Sequence, residues 1–211
     1  MKLLLHSHGA RRPAALAALL LAVAGCPTLD VEQPIALVPD SDWSDEDRDI
    51  LASAADCWNK EFGTHLTVGA SDTIMQQVRV RFSDFVCLYA AGRTEPTLPV
   101  SVDVCPVEYI FAVDCSSYNR KEQCQKEKNE EHLFSVLLHE LGHVLNIRSH
   151  ADKPGSVMSA DFSQRSGGLI PRRFSEEDHR LFEESNEGVQ LAPRCHAFLV
   201  NYYPQCLCGS W

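Results

Sequence analysis

The stretch that most constrains this chain is residues 139–143, His139-Glu140-Leu141-Gly142-His143. Around it, Leu133, Val136, Leu137, Leu141, Val144 and Leu145 recur at helical spacing. That spacing predicts a helix over 129–146 with an apolar stripe that must be buried. Two histidines four residues apart on a helix share one face, one turn apart, so two imidazole nitrogens can meet one zinc ion. Glu140 then lies beside the ion, where it can take a proton from water. The pentapeptide alone can arise by chance. Its helical setting, with the apolar stripe on the opposite side, gives it weight.

The rest of the pattern is mixed. Ser44 and Asp47 form a capping box with Asp in place of Glu. Ile50, Leu51, Ala54, Cys57, Trp58 and Phe62 follow at helical intervals, which predicts an amphipathic helix over 45–62, stopped by Gly63. Leu66 and Val68 suggest a short strand. Val78, Val80 and Phe82 alternate with Gln77, Arg79 and Arg81, the mark of a half-buried strand. Residues 90–99 carry Gly and Pro and read as a loop; 107–113 is a further strand; the polar stretch 116–130 reads as a solvated face. Gly167, Gly168 and Pro171 put 164–171 in a loop. Ser175 and Asp178 repeat the capping pattern ahead of a last helix over 176–187, ending near Gly188. No internal repeat is present.

At about 150 residues per domain, 211 residues make one domain with extensions. Apolar residues at 45% and charged residues at 23% support a real core and exclude wholesale disorder. The formal charge of −10 argues against nucleic acid as a partner. Lys2, Arg11 and Arg12 precede an apolar run that starts at Ala14, the plan of a secretory signal over 1–25. Its end, Val23-Ala24-Gly25-Cys26, resembles a bacterial lipobox. That resemblance implies export to the bacterial cell envelope with Cys26 lipidated, anchored at a membrane surface without spanning it. An ordinary signal peptide with an incidental cysteine is the alternative. Loss of residues 1–25 leaves 16 Lys+Arg against 29 Asp+Glu, a formal charge of −13, so the acidity belongs to the exported part. Residues 26–44, with Pro27, Pro34 and Pro39, read as a tether, and 193–211 as a cysteine-bearing extension. Cys57, Cys87, Cys105, Cys115, Cys124, Cys195, Cys206 and Cys208 are an even set that suits up to four disulfides in an oxidising compartment. Metal binding by these cysteines is the alternative, but no C-x-x-C pair occurs.

Residues 139–159 read HELGHVLNIRSHADKPGSVMS. This resembles the zinc-binding segment of the metzincin endopeptidases, and within them the matrixin-like group, whose motif is H-E-x-x-H-x-x-G-x-x-H followed by a tight turn bearing methionine. The likeness extends loosely over 45–190 through the order of elements. It implies an α+β zincin fold over 45–192: a twisted, mostly parallel sheet with an antiparallel edge strand, an active-site helix and a C-terminal helix. It further implies a monomer that hydrolyses peptide bonds of protein or peptide substrates by metal-activated water. Zn2+ would be held by His139, His143 and His150, with Glu140 as general base. Met158, in the turn Ser156-Val157-Met158, would be a hydrophobic floor under the rings and not a ligand. Segment 107–113 would be the edge along which substrate lies, and 163–173 the wall of a specificity pocket.

The chain departs from that pattern in two places. Asn146 stands where the family has a glycine that needs positive φ; Asn is the next most tolerant residue there. Strict register puts Ser149 at the third histidine, and His150 comes one residue late. A turn widened by one residue brings His150 back, and its eight-residue spacing to Met158 matches typical matrixins. A two-histidine site completed by another group, or a dead site, stays open. Ala160 replaces the tyrosine found two residues after the methionine in astacin-like members. His132, about 10 Å along the helix axis from His139, cannot share the ion and reads as a surface or cleft-edge residue. His179 and His196 lack ligand spacing, and Glu176 and Glu177 suit a helix cap better than a distant ligand. Pro193-Arg194-Cys195 is similar to the inhibitory cysteine motif of matrixin prodomains but follows the catalytic segment, so a disulfide explains Cys195. The competing functions are a catalytically inactive zincin-fold lipoprotein acting as a binding module, and a purely structural, disulfide-held domain.

Overall fold

The computed structural model describes residues 29–74, 76–86, 90–95, 99–106, 120–153, 155–160 and 174–187. The signal segment with Cys26, the strand expected over 107–113, the loop 163–173, His196 and the extension 193–211 lie outside the described residues. The described part is α+β. Its strands are β1 (Ile35–Pro39), β2 (Leu66–Val68), β3 (Gln76–Phe82), β4 (Gly92–Glu95) and β5 (Ser101–Val104). Its helices are α1 (Asp45–Phe62), α2 (Lys121–Val144) and α3 (Glu176–Ser185). The strands make one mixed sheet in the order β2-β1-β3-β5-β4. β1 runs parallel to β2 and β3, and β3 parallel to β5; β4 lies antiparallel on β5 at the edge.

Helices α1 and α3 form where their caps place them. The Ser44 hydroxyl accepts from the Asp47 amide at 3.1 Å while the Asp47 carboxylate accepts from the Ser44 amide at 3.2 Å. Gly63 closes α1 in the left-handed region at φ 70°. Ser175 and Asp178 repeat the box at α3.

Three elements differ from the sequence reading. The supposed tether 26–44 contributes β1, which lies between two parallel neighbours in the sheet interior. Ile35, Ala36 and Leu37 are all buried, and a strand covered on both faces shows a continuous apolar run without alternation. The expected loop 90–99 contains β4, whose polar sequence GRTE hides its strand character. Helix α2 starts at Lys121, inside the stretch read as a solvated face. Side-chain pairs one turn apart hold that polar end, among them Gln123–Glu127 at 2.9 Å, Gln125–Asn129 at 2.9 Å and Lys128–Glu131 at 2.6 Å.

The core joins the helices around Trp58, which is fully buried. Its ring centroid lies 5.0 Å from that of Phe62 and 4.5 Å from that of Phe174, and Phe62 stacks on Phe182 at 4.4 Å. The Trp58 indole N–H donates to the Leu138 carbonyl at 2.9 Å, which satisfies its one polar atom and pins α1 to α2. Cys105 and Cys124 are each held in a disulfide. Cys57 is free and buried on α1, so the eight cysteines cannot all pair among themselves; it packs as a small hydrophobe. Among the described residues no helix is long and apolar enough to cross a membrane.

Candidate metal centre

Helix α2 delivers His139 and His143 from successive turns, and its end delivers His150. The Asn146 amide bonds back to the His143 carbonyl at 3.2 Å, and the Ile147 amide to the Gly142 carbonyl at 3.0 Å. These two bonds make a Schellman end, which requires a left-handed residue, and Asn146 takes it at φ 69°. The Asn146 side chain then donates to the Leu29 carbonyl at 2.9 Å and to Asn186 Oδ1 at 3.0 Å, contacts that glycine could not make. After the turn, the Ala151 amide donates to the Met158 carbonyl at 2.8 Å, which ties the residue after His150 to the methionine turn.

The ligand atoms of His139, His143 and His150 all lie within 4.8 Å of one another. His143 Nε2 is 3.3 Å from His150 Nε2. Zinc–nitrogen bonds of about 2.0–2.1 Å in a tetrahedral site give an N···N edge of about 3.4 Å, so this pair is spaced to share an ion. His139 Nδ1 lies 2.8 Å from the Val157 carbonyl, and His143 Nδ1 lies 2.5 Å from the Ile147 carbonyl. A carbonyl only accepts, so each Nδ1 carries the proton and each Nε2 keeps its lone pair for a metal. His139 is buried, His143 half-buried and His150 exposed, so the cluster opens toward solvent on one side. Three imidazoles with an open side are a donor set that suits a zinc ion. The residues present therefore fit the ion.

Two positions that carry no ligand shape the centre. A Cβ at Gly142 would overlap Met158 Sδ and stand 3.1 Å from Trp58 Cζ2. Glycine at that point lets fully buried Met158 pack against α2 between the two histidine turns. Asp178 is also fully buried and binds the methionine turn from below. Its carboxylate accepts from the Ser156 hydroxyl at 2.5 Å, the Val157 amide at 3.2 Å and the Met158 amide at 3.0 Å, besides capping α3 through Ser175. Val157, held by that carboxylate, presents the carbonyl that orients His139.

Glu140 is buried and turned to the edge strand. The Thr94 hydroxyl lies 2.7 Å from Glu140 Oε2 and 3.1 Å from its carbonyl. Sequence reasoning missed Thr94, Gly92, Gly142 and Asp178's second role. Only Asp178 left a readable trace, as a capping residue.

The other histidines stay apart from the cluster. His132 is buried, 8% exposed, which rules out the surface place among the two expected for it, surface or cleft edge. His179 pairs with Glu61 at 2.9 Å and packs on Phe62. Ser149 is exposed in the bend before His150. Glu176 and Glu177 lie in the first turn of α3. Compared with models of known protein families and with curated proteins, the chain matches none.

Proposed function

We propose that this chain is an exported zinc-dependent endopeptidase of the metzincin type, matrixin-like in its site, with His139, His143 and His150 as ligands and Glu140 as general base. The observation that carries the reading is the convergence of the three histidines despite the one-residue slip, two of them with Nδ1 fixed on backbone carbonyls. That convergence weighs against an inactive binding module, whose motive was the slip. The mixed sheet with an antiparallel edge strand beside the helix of the centre supports a zincin-type fold.

A zinc ion held by His139, His143 and His150 would supply Lewis-acid polarisation of a peptide carbonyl and lower the pKa of bound water toward neutral. Glu140, buried beside the cluster, takes the proton of the attacking water and passes it to the leaving amine. Strand β4, at the edge of the described sheet, offers backbone groups to an extended peptide by strand addition; 107–113, expected in that role from sequence, lies outside the described residues. Met158 and Asp178 keep the floor and the His139 ring in place. The disulfide-bonded cysteines favour an oxidising compartment, in keeping with export and a lipid anchor at Cys26.

The test is anomalous diffraction at the zinc edge together with peptide hydrolysis. One peak held by the three histidines, activity in the wild type and retention of zinc with activity reduced about 10²–10⁴-fold in Glu140→Gln would support the reading. Failure to take up zinc, or full activity in Glu140→Gln, would overturn it.

A further inference from the structure

We propose that Thr94 is a positioning residue for Glu140, and that Gly92 and Thr94 form a seat for its carboxylate on β4; this rests on the protease reading of the centre. Alternate residues of a strand face one side, so Gly92 and Thr94 both look toward α2 while Arg93 and Glu95 pair with each other on the other face. Gly92 supplies space: a Cβ there would stand 2.8 Å from Glu140 Cγ, 2.8 Å from Oε1 and 2.8 Å from Val136 Cγ1. Thr94 supplies the hold. Its hydroxyl reaches Oε2 at 2.7 Å and the carbonyl of the same residue at 3.1 Å, and the charged carboxylate is the stronger acceptor.

Glutamate has three rotatable side-chain bonds, and a base must meet its proton in one geometry. The seat removes that freedom before substrate arrives. It also lies on the strand at the edge of the sheet.

The experiment compares zinc-loaded full-length wild type, Thr94→Val and Thr94→Ser, with Glu140→Gln as the activity control. Thr94→Val keeps the shape and deletes the donor. It is expected to lower kcat about tenfold or more while KM and zinc affinity, read by chelator competition, stay at wild-type values. Thr94→Ser, which keeps the hydroxyl, is expected to restore most of kcat. Crystal structures provide a readout independent of turnover: in Thr94→Val the Glu140 carboxylate should leave its wild-type place by about 1 Å or more. A Thr94→Val enzyme with wild-type kcat, a Thr94→Ser enzyme as slow as Thr94→Val, or an unmoved Glu140 overturns the proposal. If the wild type cleaves no peptide, the protease reading fails, and the place of Glu140 in Thr94→Val alone decides whether Thr94 seats it.

Discussion

Gly142 occupies one of the two free positions of the H-E-x-x-H pattern, yet the fold leaves it no freedom. Gly142→Ala would drive a methyl group into Met158 and Trp58, both buried and both tied to other elements. Such overpacking costs about 1–3 kcal/mol and should lower zinc affinity as the floor shifts; denaturant unfolding and chelator competition measure the two. Asn146 allows a cleaner separation. Asn146→Gly keeps the left-handed turn and loses the contacts to Leu29 and Asn186, whereas Asn146→Ala adds backbone strain of about 1–2 kcal/mol. Stability should fall in the order wild type, Gly, Ala, and a Gly variant as stable as wild type would show that the amide contacts contribute nothing. The meeting of His139, His143 and His150 was legible in the sequence because a shared site demands particular side chains at particular spacings. Gly142 and Thr94 were not, because one contributes absent volume and the other a hydroxyl from a strand 46 residues away.

Helix α3 acts through its N-terminus. Asp178 serves as cap and as clamp on the methionine turn, so Asp178→Asn, which turns an acceptor into a donor facing N–H and O–H groups, should cost about 2–3 kcal/mol. Ser175→Ala removes only the cap and should cost about 1 kcal/mol. Thermal unfolding of both variants checks the difference; equal losses would mean that the clamp carries no weight. Elements with local signals were read correctly: α1 and α3 carry caps, and β3 alternates. The others take their structure from partners distant in sequence. β1 has no alternation because neighbours cover both faces. β4 has no apolar face because it borders a buried carboxylate. The polar start of α2 is held by side-chain pairs along its own surface rather than by an apolar stripe.

For the molecule as a whole, zinc and protons are the two solution variables that should move stability. Free zinc at a hundred times its Kd would stabilise the folded chain by about 2.7 kcal/mol, so a chelator should lower the Tm; a domain held by disulfides alone would be indifferent. At the junction of α1 and α2, burial pushes the Glu130 carboxyl up, and the charge of Glu46 adds to this, with Lys126 opposing. The folded protein then holds that proton to higher pH than the unfolded chain. Stability from this group is present below the usual carboxylate range and is lost as pH rises through the raised folded value. Glu130→Gln should therefore stabilise the protein at neutral pH, with the gain fading in acid; denaturant melts at pH 4 and pH 7 check it. The bond from Asn146 to the Leu29 carbonyl has a consequence for reach. Leu29 stands three residues after Cys26, a step of about 10 Å at full extension. Were Cys26 lipidated as proposed, the end of α2 would be moored on a leash too short to let it wander from the bilayer. Any search for a substrate would then be two-dimensional, and membrane-bound chains would be met far more often than freely diffusing ones.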